Sequence, residues 1–186
     1  MWIDAEIFTR LTEEHFIFLQ KEYNMRVQKK TVAECVRFKS NITWVEIWFD
    51  KYSLIIEMGT NDGLYQESLW DVMQFVTGEG KFASYMASDE EKLRKGLQRL
   101  SGYVKLYCQK ALSGDIEFYK ELQKRREKFE QEFALKNKIM HVEELAKTAW
   151  DKQEYEKVIS LYTLNFEHLS PIQEKRLSIC KKRLQD

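Results

Sequence analysis

The sequence predicts an α+β fold: an N-terminal helix, a three- to four-stranded antiparallel meander, then antiparallel helices. Three observations carry that expectation. Between residues 32 and 59 lie three runs with period-two alternation, VAECVRF, ITWVEIWF and SLIIEMG, joined by two tight turns. On either side of them, apolar residues recur at helical spacing. The composition, 44% hydrophobic and 32% charged, is that of a folded globular chain rather than a disordered one.

Residues 4–22 read as helix. Ile7, Phe8, Leu11, His15, Phe18 and Leu19 fall near one stripe, and Thr12-Glu13-Glu14-His15 offers a restart with Thr12 as N-cap. In the meander, Ser40-Asn41 suits a two-residue turn that pairs Lys39 with Ile42. That register sets Arg37 beside Trp44, Cys35 beside Glu46 and Ala33 beside Trp48. The second turn, Asp50 to Ser53, pairs Phe49 with Leu54, Trp48 with Ile55 and Glu46 with Glu57. Both hairpins divide the faces alike. Val36, Phe38, Val45, Ile47, Phe49, Leu54, Ile56 and Met58 make an apolar face. Arg37, Trp44, Glu46, Trp48, Ile55 and Glu57 make a wetter one.

After the turn GTNDGL, Ser68–Val76 reads as a short helix with Leu69, Val72, Met73 and Val76 inward, ended by Thr77-Gly78-Glu79-Gly80. Ser88 with Glu91 three residues later forms a capping box for a helix starting near Asp89. Leu93, Leu97, Leu100, Val104, Cys108 and Leu112 keep helical spacing through it. Ser113-Gly114-Asp115 supplies a stop and the next N-cap. A second long helix follows, with Ile116, Tyr119, Leu122, Arg126, Phe129 and Phe133 near one stripe, and the short connection predicts an antiparallel hairpin. Residues 1–87 thus form the α+β sheet region and residues 88–186 a helical region, together one structural unit.

In the C-terminal third, Ala146, Ala149-Trp150, Tyr155, Val158, Tyr162 and Pro171 resemble one tetratricopeptide-type helix pair over residues 138–171. The resemblance implies small residues that let two helices approach and aromatics that fill the gap. Gln153 stands where that family turns on glycine, and Val158 replaces the usual alanine. With no second copy, the stacked groove of a repeat array is not implied. Ser170-Pro171, with Gln173, opens a final helix whose Ile172, Cys180 and Leu184 are expected to cover the pair, with Leu177 on an adjacent face.

Composition and motifs narrow the chemistry. Lys+Arg and Asp+Glu both total 30, so a concentrated basic surface for nucleic acid is not expected. The basic run Lys120-Lys124-Arg125-Arg126-Lys128 is interrupted by Glu121 and Glu127 and reads as a solvated helix face. Cys35, Cys108 and Cys180 have no ligand spacing, and neither do His15, His141 and His168, so no metal or other cofactor is expected. The scattered thiols point to a reducing, cytoplasmic setting, and no signal peptide or membrane span is expected. There is no GxSxG, HExxH, Walker loop or GxGxxG.

One constellation stands out as a candidate binding site: Arg37, Trp44, Glu46, Trp48 and Glu57 on the wetter sheet face. Trp and Arg are the residues that anchor protein interfaces. Opposed Glu46 and Glu57 repel unless a cation such as Arg37 offsets them, and the same pair suggests an acid/base or ligand-anchoring site. A small neutral chain without catalytic motifs is similar in cast to bacterial immunity or antitoxin-type proteins. The expected function is therefore a non-catalytic cytoplasmic protein-interaction module with a protein partner. The alternative is a small-ligand-binding protein or hydrolase using Glu46 and Glu57. The helical tail adds a third possibility, a scaffold role through self-association.

Overall fold

The computed structural model describes residues 3–29, 34–78, 84–164 and 169–184. It is α+β, with an N-terminal helical segment, an antiparallel sheet and then several helices. The chain separates by contact into two units, 1–126 and 127–186. The first unit thus runs well past residue 87, because the helices that follow supply its core.

The first unit opens with α1 (Ala5–His15) and α2 (Ile17–Tyr23). Asp4 caps α1 by accepting from the Glu6 N–H at 3.1 Å. The break falls at Phe16, and Thr12 is a buried residue inside α1 rather than the expected N-cap. Phe16 is itself fully buried against Phe18 and Phe38, so tertiary packing sets the break where local capping chemistry suggested another place.

The sheet is broader than the meander expected. Strands β1 (Arg26–Lys29), β2 (Cys35–Lys39), β3 (Thr43–Asp50), β4 (Ser53–Thr60) and β5 (Gln66–Ser68) lie in sequence order, all antiparallel. A sixth short strand, β6 (Tyr85–Met86), pairs with the start of β4. The β3–β4 register matches the expectation at Phe49 with Leu54, Trp48 with Ile55 and Glu46 with Glu57. The β2–β3 register does not: Lys39 pairs with Trp44, Arg37 with Glu46 and Cys35 with Trp48. The turn is four residues, Ser40–Thr43, rather than two. Ser40 Oγ accepts from the N–H groups of Ile42 and Thr43 and so closes the longer loop. The slip is by two residues at Arg37, so every side chain keeps its face. Ala33 lies outside the described residues.

The apolar face buries Val36, Phe38, Val45, Ile47, Leu54, Ile56 and Met58; Phe49 is half-buried. Against it pack Phe8, Leu11 and Leu19 from the first helices, Leu69, Val72 and Met73 from α3 (Leu69–Thr77), and Leu93, Leu97, Leu100 and Val104 from α4 (Glu90–Tyr107). Each such side chain contributes about 1.5–3 kcal/mol on burial. Gly96 lets α4 approach closely: a Cβ there would lie 2.5 Å from Tyr85 Cδ1 and 2.7 Å from Leu54 Cδ1. Val76, expected inward, is 47% exposed on the last turn of α3. Asp89, not Ser88, caps α4, accepting from the Lys92 N–H at 2.9 Å. The expected stripe from Leu93 to Leu112 is buried throughout, although the helix breaks at Cys108 before α5 (Gln109–Leu112).

Helix α6 (Ile116–Asp151) begins where Asp115 accepts from the Phe118 N–H. Of its expected stripe, Tyr119 and Leu122 are buried, while Ile116, Phe129 and Phe133 are exposed. The second unit takes the rest of α6 together with α7 (Tyr155–Thr163) and α8 (Pro171–Arg183). Its core is Ala146, Ala149, Val158, Tyr162, Leu177 and Cys180, flanked by Trp150 and Tyr155 edge-to-face at 6.1 Å. Gln153 adopts φ 60° at the turn before α7, the left-handed conformation expected of glycine there. Ser170 and Gln173 form the expected capping box. Leu177 and Cys180 are the covering residues of α8, whereas Ile172 and Leu184 are exposed.

Candidate functional site

The wetter sheet face is a grid set by the strand register. One row reads Arg26, Lys39, Trp44, Gly59 and Gln66 across β1 to β5. The next reads Gln28, Arg37, Glu46, Glu57 and Ser68, and a third reads Cys35, Trp48 and Ile55. All five predicted site residues therefore share one face, and Glu46 lies at their centre.

Glu46 is 4% exposed, so its charge requires local compensation. Arg37 Nε approaches its Oε1 at 2.7 Å, and the Trp48 indole N–H donates to its Oε2 at 3.0 Å. The Arg37 guanidinium also stands 4.9 Å from the centroid of the Trp44 ring. Trp44 is 8% exposed and donates its indole N–H to the Thr60 carbonyl at 3.1 Å. Its indole covers its cross-strand neighbour Gly59, where a Cβ would meet the ring at 2.8 Å and also the Tyr65 carbonyl. Glu57, opposite Glu46, accepts from Gln66 Nε2 at 3.3 Å. The opposed carboxylates are thus turned to different partners, and the cation expected between them is present on Glu46.

Exposure divides the five residues. Trp44 and Glu46 are buried; Arg37, Trp48 and Glu57 are half-buried; and Ile55 beside Trp48 is 40% exposed. Toward β1 the face becomes basic and polar. A cleft of about 350 Å³ is lined there by Asn24, Arg26, Gln28, Lys39, Ser40 and Asn41.

Two further carboxylate clusters escaped the sequence reading. Glu67 pairs with Met58, which turns it to the apolar face, and it is 3% exposed. Burial pushes its carboxyl up to about 7, and Arg126, whose Nη1 lies 3.1 Å away, pulls the other way. Asp71 adds to the upward push. The signal was the turn at GTNDGL: a hairpin there returns Gln66–Ser68 along β4 and assigns Glu67 its face. Glu143 is the hub of the second unit, accepting from Tyr162 Oη at 2.9 Å, Gln173 Nε2 at 2.6 Å and Arg176 Nη1 at 2.6 Å. Burial would raise its pKa, but these hydrogen bonds and the Arg176 charge hold it below the usual carboxylate range.

Among the described residues, no group of three His, Cys, Asp or Glu is placed to hold a metal ion. His15 is half-buried, with its pKa lowered by burial; His141 is exposed; His168 lies outside the described residues. Cys35, Cys108 and Cys180 are all buried. No helix among the described residues is long and apolar enough to cross a membrane. No protein-family model, curated protein or solved structure matches this chain.

Proposed function

We propose that this chain is a non-catalytic protein-interaction module that presents its wetter sheet face to a protein partner. The carrying observation is that the buried Glu46 carboxylate is held by an ion pair with Arg37 and by a hydrogen bond from the Trp48 indole. The acid then serves to hold an aromatic surface in place rather than to move a proton. Trp48, fixed through its indole N–H and beside exposed Ile55, is a rigid apolar anchor that loses little conformational freedom on binding. Arg26 and Lys39 at the β1 end favour a partner with acidic residues on one side of an apolar pocket. The buried thiols of Cys108 and Cys180 support the cytoplasmic setting of this reading.

The test separates the two tryptophans. Trp48→Ala combined with Ile55→Asp is expected to abolish the specific capture of a partner from native lysate; the midpoint falls because buried Glu46 loses the indole donor, whereas Ile55→Asp alone, at an exposed site, is expected to weaken capture with the midpoint nearly unchanged. Trp44→Ala is expected to lower the midpoint, because that ring fills the space over Gly59. If the double variant captures the same proteins as the wild type, the reading fails.

A further inference from the structure

Within the second unit, every residue from Glu127 to Lys138 is exposed. That segment nevertheless carries large apolar side chains on one stripe. Phe129 and Phe133 are each 56% exposed and Met140 54%. The two phenyl rings stack on each other at 6.3 Å, with 12° between their planes. A solvated helical segment gains little from its own backbone, and most helical stability in proteins comes from packing an apolar face. Phe129, Phe133, Lys136 and Met140 follow one another by four, three and four residues, the spacing of a coiled-coil seam.

We propose that this stripe of α6 is the seam through which two copies of the chain pair as antiparallel helices. The stripe is self-complementary when reversed. A two-fold axis between residues 134 and 135 sets Phe129 against Met140 of the other copy and Phe133 against Lys136. Glu132 borders Phe133, so a Lys136 stem lying across that ring carries its ammonium to Glu132, and the symmetry makes the contact twice. Within the chain, the ion pair between Glu132 and Lys128 Nζ is long at 3.9 Å and solvent-exposed. A parallel, in-register pairing would instead oppose Lys136 to Lys136. Charge therefore selects both the occupant, a second copy, and its direction.

Sedimentation velocity of the full chain, from low micromolar to near-millimolar concentration, tests the proposal. The mass is expected to rise from the 22.4 kDa monomer toward twice that value. Glu132→Lys and Lys136→Glu, each alone, place like charges together and are expected to weaken the dimer by about tenfold or more. The double variant Glu132→Lys/Lys136→Glu is expected to dimerise again, as is an equimolar mixture of the two single variants. Restoration by the double variant separates pairing from a folding defect. A wild-type chain that stays monomeric at every concentration overturns the proposal and leaves the stripe to another protein. Dimerisation unaffected by the single reversals also overturns it, since the contact would then lie elsewhere.

Discussion

Two glutamates show that equal burial can come with unequal partners. Glu46 and Glu67 are almost equally inaccessible, at 4% and 3%. Glu46 meets Arg37 and the Trp48 indole on a face of its own sheet. Glu67 lies among core residues with one arginine, and burial dominates its environment. Its folded pKa of about 7 stands above the 4.5 of the solvated acid. Between those values the native state holds more of the proton than the unfolded state does. The contribution to stability is therefore complete below the unfolded value and is lost as pH rises through about 7. Glu67→Gln imitates the protonated acid, and Arg126, 45% exposed, keeps its access to water. The variant is expected to exceed the wild type by about 2 kcal/mol near pH 8 and to match it near pH 4. Urea unfolding at both values checks this; a difference independent of pH would refute the assignment.

The elements owe their ends to unequal turn chemistry. The β2–β3 turn is stabilised by Ser40, whose hydroxyl serves two backbone N–H groups. The β3–β4 turn relies on backbone conformation. Lys51 and Tyr52 carry it with φ of 43° and 80°, the type I′ conformation that suits asparagine and glycine. Tyr52 is 46% exposed, and its carbonyl accepts from the Ala87 N–H at 2.7 Å, a backbone contact that a substitution keeps. Replacing Lys51-Tyr52 by Asn-Gly is expected to stabilise the protein by about 1 kcal/mol, read as a higher thermal midpoint with β3 and β4 in the same register. A lower midpoint would show that the Tyr52 side chain carries more than its exposure suggests.

At the scale of the molecule, two cores serve one chain. The first joins the sheet to the helices up to Leu122; the second is the small cluster around Ala149, Val158 and Tyr162. Glu143 ties the three helical segments of the second unit through Tyr162, Gln173 and Arg176. Glu143→Ala leaves those donors without their acceptor, and the effect belongs to that unit. Hydrogen exchange in α7 and α8 is expected to accelerate by an order of magnitude or more, with the β3 and β4 amides unchanged. Equal acceleration in the sheet would mean that the two cores unfold together.

The sequence by itself determined the faces. Period-two alternation sorted Trp44, Glu46, Trp48, Arg37 and Glu57 onto one side, and a slip of two residues in a turn cannot undo that sorting. Helical spacing likewise placed Leu93 to Leu112 in the core. What only the tertiary structure decided was which members of a face meet solvent. Trp44 and Trp48 carry the same period, yet one lies over Gly59 with its N–H on Thr60 and the other stands half-open beside Ile55. The same limit applied to α6, where Leu122 and Phe129 share a stripe but only Leu122 is covered. Periodicity reports direction around an axis. Burial depends on what arrives from distant parts of the chain, and no local pattern encodes that.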